Sequence, residues 1–178
     1  MTPEELKALI RTVPDFPRPG IQFRDITTLL ANGEGLTAAV ELISKRAGAD
    51  GVGAIAGVEA RGFIFGAAVA SLLMLGFVPV RKAGKLPVPT IGTDYSLEYG
   101  EARLEIDPTL IAQGERVIIV DDLLATGGTA LAAAQLLRQA GAVVDRALFV
   151  INLPDLGGAE RLRAQGIAVE ALMEFEGD

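Results

Sequence analysis

The 178-residue chain contains no cysteine, no histidine and no tryptophan, and only two tyrosines. Without cysteine there is no disulfide framework, no thiolate nucleophile and no zinc-thiolate site. Without histidine the commonest general base and metal ligand is missing, so catalysis must run on Asp, Glu, Lys, Arg, Tyr, hydroxyls and backbone. Basic residues are also scarce, 16 against 23 acidic ones, and the net charge of -7 opposes nucleic acid and anionic membranes. A phosphate-handling site must then be built locally, which makes a basic cluster informative. No window of eighteen apolar residues runs free of charge or glycine. The richest, GFIFGAAVASLLMLGFVPV, is broken by glycines and ends in RKAGK, so it reads as a buried helix entering a strand. The N-terminal MTPEELKALI carries acids where a signal peptide has a basic region and an apolar stretch, so the expected location is cytoplasmic.

What is present suits one domain over 1–178, with half of the residues apolar. Thr2, Pro3 and Glu5 form an N-cap, first-turn proline and capping-box partner, predicting a short helix over EELKALIRT that PDFPRPG then stops. IQFRDITTLL reads as irregular or extended, and GEGLTAAVELISKRAG as an amphipathic helix with Gly48 beyond its end. From there strands (GVGAIAGV, FVPVRK, RVIIVDD, VVDRALFVINL, IAVEALME) alternate with helices (RGFIFGAAVASLLML, GTALAAAQLLRQAGA, GAERLRAQ). That order predicts an α/β fold with a parallel sheet covered on both faces. TDYSLEYGEARLEI breaks the rhythm and predicts an antiparallel hairpin projecting from the core.

The chemistry concentrates in VIIVDDLLATGGTA, residues 117–130. A buried strand runs into Asp121 and Asp122, then into a loop of small residues (Ala125, Thr126, Gly127, Gly128, Thr129) that opens a helix. Such a loop lets N–H groups face an anion, and the helix N-terminus adds about half a positive charge. The commonest phosphate loop, GxxxxGK[ST], is absent. Two carboxylates would repel phosphate but accept strongly from a vicinal diol, so diol and phosphate together suggest ribose 5-phosphate. Read as structure alone, Asp122 ends a strand, the glycines turn and Thr129 caps a helix; the coincidence of all three at the ligand-binding end of a buried strand favours a site.

This stretch resembles the phosphoribosyl pyrophosphate (PRPP) motif of the type I phosphoribosyltransferases. FPRPGIQFRDIT, GVEARGFIFG, FVPVRKAGKLP, YSLEYG and INLPDLGG narrow the resemblance to the bacterial adenine phosphoribosyltransferase family, over nearly all the chain. It implies the type I fold: a central, mainly parallel sheet flanked by helices, a small N-terminal hood within 1–30 and a hairpin lid at 93–106. Arg61, Arg81, Lys82 and Lys85 are implied as pyrophosphate ligands, with Arg61 also catalytic. RKAGK could otherwise be a solvated basic loop, and Arg61 a surface residue or the partner of Glu59. Glu98 is implied in proton handling on the purine and Tyr99 in closing the site; Tyr95 is read equally as cross-strand packing. Phe23 is implied to stack on adenine, Gln22 and Arg24 to read its edge through backbone groups, and Leu123 to form the opposite wall. In the family the peptide corresponding to Glu59–Ala60 can be cis.

The implied reaction is adenine plus PRPP giving AMP and pyrophosphate, with Mg²⁺ carried mainly by PRPP oxygens and water and no cage made solely by protein. A homodimer is implied, with no nucleic-acid or membrane partner. Two alternatives stand beside it. One is transfer to another base (xanthine, hypoxanthine or orotate), which the PRPP loop does not discriminate. The other is a non-catalytic PRPP-sensing regulator, which needs a basic face or an added DNA-binding domain, neither of which is expected in a chain of net charge -7.

Overall fold

The computed structural model describes residues 1–48, 50–97 and 100–177. The first helix, α1 (Pro3–Ala8), opens with a reciprocal capping box: Glu5 N–H donates to Thr2 Oγ1 at 3.3 Å and Thr2 N–H to Glu5 Oε2 at 2.7 Å. It stops at Ala8 instead of reaching Thr12, because Arg11–Pro14 (β1) pairs antiparallel with Gln22–Asp25 (β2) in a two-stranded sheet. The segment after β2 is not wholly extended, as expected, but includes a one-turn helix, α2 (Thr27–Leu30). Helix α3 (Gly33–Ala47) follows, capped by Asn32 and ended by Gly48 at φ 62°.

The remainder alternates: β3 (Ala54–Val58), α4 (Arg61–Leu72), β4 (Gly76–Lys82), β5 (Ile91–Leu97), β6 (Gly100–Ile106), β7 (Val117–Leu124), α5 (Gly128–Gln139), β8 (Arg146–Asn152), α6 (Gly158–Arg163) and β9 (Ala168–Glu174). The main sheet has seven strands in the order β5-β6-β4-β3-β7-β8-β9. Strands β3, β4, β7, β8 and β9 are mutually parallel, and the β5–β6 hairpin forms an antiparallel edge. The hairpin is therefore not detached from the core: β6 continues the sheet from β4 through Arg81↔Glu105 and Lys82↔Leu104.

Alternation along the central strands divides the core in two. Ala54, Ala56, Val117 and Ile119 pack with the alanines and leucines of α5, while Ile55, Ile118 and Val120 pack with Phe65 and Val69 of α4 and Ile43 of α3. From β3 the chain crosses by α4 to β4 on one side; from β7 it crosses by α5 to β8 on the other. The carboxyl ends of the neighbouring strands β3 and β7 thus open a crevice at the point where winding reverses, the place where open α/β sheets bind ligands.

The two-stranded sheet is fastened by Asp25, which accepts from Thr27 Oγ1 at 2.6 Å, Thr27 N at 3.0 Å and Arg11 Nε at 3.1 Å. The Thr27 hydroxyl and then Arg11 hold its carboxyl at about 2, below its ordinary 3.8. A carboxyl lowered on folding stabilises above its unfolded pKa, and that contribution is lost as pH falls from about 4 through 2. The gap in urea midpoint between wild type and Asp25→Asn is expected to close over that window. A gap that stays constant with pH would show that Asp25 does not carry the effect.

Candidate active site

The site grows from the end of β7. Asp122 is 5 % exposed, and its Oδ2 accepts from Arg61 Nε, the first residue of α4, at 2.5 Å. Asp121 Oδ1 accepts from the Asp122 N–H at 2.8 Å. A Cβ on Gly62 would lie 2.7 Å from that same Oδ1, so the first turn of α4 sits against the carboxylate at a distance only glycine allows. Burial, and then the adjacent Asp122 charge, push the Asp121 carboxyl well above its ordinary range. Burial alone would disfavour the Arg61 cation, but Asp122, and less strongly Asp121, hold it charged. Arg61 therefore pairs with Asp122, neither standing free on the surface nor pairing with Glu59.

Beyond Leu124 the loop turns at Gly127, whose φ of 82° is left-handed, and enters α5 at Gly128. Thr129 is inside the helix, and Gly127 rather than Thr129 occupies the cap. The Leu131 N–H to Gly127 O bond, 2.9 Å, is the first of the helix, so the N–H groups of Gly128, Thr129 and Ala130 precede any intrahelical partner. They form a ready anion cradle.

A cavity of about 360 Å³ is lined by residues 121–130 together with Glu59, Ala60, Arg61, Lys82 and Tyr95. Lys82 reaches it, whereas Arg81 and Lys85 are not among its lining residues. Arg81 is committed elsewhere: its Nε donates to Glu59 Oε2 at 2.9 Å, and the Lys82 N–H donates to the same oxygen at 3.2 Å. Burial pushes the Glu59 carboxyl up, but these hydrogen bonds and the Arg81 and Lys82 charges outweigh it and hold it below its ordinary value. Glu59 thereby ties the β3 end to the RKAGK loop. The Glu59–Ala60 peptide is cis.

A second cavity, of about 520 Å³, shares Arg61, Asp122, Leu123, Ala125 and Thr126 with the first and extends toward the N-terminal sheet. Its wall is largely apolar: Ile21, Phe23, Ile26, Leu123, Leu153 and Leu156. Gln22, Phe23 and Arg24 all line it, and so does every other residue from 21 to 27. A strand showing one face would contribute alternate residues; an unbroken run means that the backbone edge of β2, paired to β1 on one side only, faces the space. The Arg24 side chain is held by Thr12 Oγ1 at 2.6 Å and Glu176 O at 3.1 Å.

Glu98 and Tyr99 lie outside the described residues. Tyr95, weighed as cross-strand packing, does pair with Ala102 and pack on the core, and it also lines the polar cavity. Two residues that sequence reasoning passed over support the loop. Arg161 Nη1 donates to Thr126 O at 2.8 Å, and Gly158 abuts Ala125 and Gly127. The glycine pair in INLPDLGG was the available signal, since a strand end followed by two glycines marks close backbone approach.

The phosphoribosyl transferase domain family matches residues 25–161. Adenine phosphoribosyltransferase of Novosphingobium aromaticivorans is 69 % identical over 177 residues, covering 99 % of each chain, and that of Erythrobacter litoralis is 70 % identical over the same length and coverage. Among solved structures, adenine phosphoribosyltransferase of Thermoanaerobacter pseudethanolicus superposes with a TM-score of 0.91 at 45 % identity, covering 98 % of this chain and 100 % of that one. The Saccharomyces cerevisiae enzyme, complexed with adenine and an imino-altritol bisphosphate, gives 0.88 at 39 % identity, with coverage of 96 % and 98 %. With a polar crevice at the switch point opening into an apolar one under the N-terminal sheet, and with likeness at this level over the whole length, the chain belongs to the adenine phosphoribosyltransferase family.

Proposed function

We propose that this protein transfers the 5-phosphoribosyl group of PRPP to adenine, giving AMP and pyrophosphate. The observation that carries this is the junction of the two cavities: the polar one ends and the apolar one begins at Arg61, Asp122, Leu123, Ala125 and Thr126. A base and a sugar phosphate bound one in each would meet at their glycosidic atoms.

The residues take these parts. Asp121 and Asp122 accept from the ribose hydroxyls. Residues 125–129 hold the 5'-phosphate through N–H groups and the hydroxyls of Thr126 and Thr129. Lys82 and Arg61 face the pyrophosphate, while Arg81 shapes the RKAGK loop through Glu59 and joins Lys85 as a pyrophosphate ligand once substrate is present. Phe23 and Leu123 enclose adenine, and backbone groups at Gln22 and Arg24 read its edge. Glu98 and Tyr99 are proposed, from the sequence, to assist proton transfer and to close the site.

The bond from C1 to pyrophosphate weakens first, its electrons leaving with pyrophosphate, and the ribose gains oxocarbenium character. Attack by adenine from the opposite face inverts C1. Arg61 and Lys82 stabilise charge on the leaving group, and exclusion of water protects the cationic sugar. The donors present fit a Mg²⁺ ion carried by substrate: two adjacent carboxylates border the polar cavity. Asp121 or Asp122 would help to hold such an ion together with PRPP oxygens, and it would supply further charge neutralisation on pyrophosphate. Among the described residues no helix is long and apolar enough to cross a membrane. A single domain, a cytoplasmic location and a homodimer complete the proposal.

The test is AMP formation from PRPP and adenine beside parallel reactions with hypoxanthine, xanthine and orotate. Adenine is expected to exceed the others in kcat/KM by at least about a hundredfold, because buried polar groups left unpaired by the wrong base are costly. A preference for a 6-oxopurine would overturn the assignment.

A further inference from the structure

The residues after β9 touch both walls of the apolar cavity. On one wall, the Arg24 Nη2 of β2 donates to Glu176 O at 3.1 Å, and its guanidinium lies 4.7 Å from the centre of the Phe175 ring. Lys7 of α1 brings a second cation to the same ring, with Nζ 4.6 Å from the centre. On the other wall, the Phe175 N–H donates to Asn152 O at 3.1 Å and the Gly177 N–H to Asp155 Oδ2 at 2.7 Å. Asn152 immediately precedes Leu153, and Asp155 immediately precedes Leu156, and these two leucines line the cavity opposite β2.

We propose that Phe175–Gly177 is a strap that fixes the separation of the two cavity walls, with Phe175 and Asp155 as positioning residues for the base. This rests on the functional reading above. The β2 strand belongs to a two-stranded sheet and meets the cavity along its edge, so its own ladder cannot set its distance from Leu153 and Leu156. Recognition by backbone groups tolerates only about half an ångström of drift, so the strand needs an anchor outside its sheet. Arg24 supplies it with a planar fork: one nitrogen stays within the sheet on Thr12 and the other reaches the strap, while the guanidinium lies over the ring. Neither Phe175 nor Asp155 lines either cavity. The strap acts on adenine through the strand and leaves the PRPP loop alone.

Steady-state kinetics with both substrates varied decide it, alongside thermal unfolding. Phe175→Ala is expected to raise KM for adenine about tenfold while kcat and KM for PRPP stay within about twofold, and Phe175→Trp, which keeps a ring face for the cations, to restore the wild-type value. Asp155→Ala, an exposed change that does not threaten folding, is expected to raise KM for adenine about threefold. An unchanged KM for adenine in both alanine variants overturns the strap. So does a parallel rise in both KM values with a lowered Tm, or failure of Trp to rescue, since those mark a merely structural ring. Wild-type protein that forms no AMP overturns the functional reading and this inference with it; active wild type with unaffected variants overturns this inference alone.

Discussion

Replacing Asp122 by asparagine is expected to lower kcat/KM for PRPP by roughly a hundredfold, the worth of charge-assisted hydrogen bonds to a diol, while KM for adenine stays within about threefold. Asp122 is the carboxylate that Arg61 reaches, at 2.5 Å, so an amide there gives up that ion pair. The cost to stability is small, at most about 1 kcal/mol, because the Arg61 side chain is 58 % exposed and hydrates when its partner is removed. Asp121→Asn is expected to cost less, about tenfold. Burial and the Asp122 charge already favour the protonated form of Asp121, which an amide imitates. Rates measured over varied PRPP at fixed adenine separate the two. An Asp122→Asn enzyme with wild-type KM for PRPP would remove the ribose assignment, and equal losses at both positions would remove the distinction between them.

That inequality between neighbouring aspartates was not legible in the sequence, where Asp121 and Asp122 read as an equivalent pair. It depends on Gly62 bringing α4 against one carboxylate and on Arg61 reaching the other, both across a long chain separation. Local pattern did specify the alternating strands and helices from residue 54 onward, because β-branched runs and Ala/Leu-rich stretches agree with their buried positions. It failed at Arg11 and Thr12, read as the end of a helix but drawn into a strand by Gln22–Asp25; the antiparallel hairpin it did mark, though not the two-residue register that continues the main sheet into it. Basic residues illustrate the same limit. RKAGK marks a cationic loop, but only the fold shows that Arg81 answers Glu59 while Lys82 reaches the cavity. The Arg24 side chain likewise has its partners at Thr12 and Glu176, the second at the far end of the chain.

Gly158→Ala is expected to impair the enzyme about as severely as loss of Asp122, from a residue that contributes no ligand atom. A Cβ at Gly158 would stand 2.3 Å from Ala125 O, 2.9 Å from Gly127 N and 3.1 Å from Ala125 C. All three are backbone atoms of the phosphate loop, so no rotamer relieves the contact and the loop itself must move. Such overpacking costs typically about 1–3 kcal/mol when surroundings yield. Here the part that yields is the cradle: Gly127 is left-handed at φ 82°, and Arg161, on the same helix as Gly158, holds Thr126 O. Displacing the loop turns the N–H groups of Gly128 and Thr129 from the phosphate, and KM for PRPP should rise by about a hundredfold or more. Arg161→Met withdraws the support without a clash and is expected to raise the same constant only about threefold. Both variants should change KM for adenine much less than KM for PRPP, because Ala125 and Thr126 border the apolar cavity only where it meets the polar one, and its wall at Phe23 and Leu153 is untouched. A Gly158→Ala protein with wild-type KM for PRPP would mean that α6 can slide from the loop at little cost, and the cradle would then owe its shape to Gly127 alone.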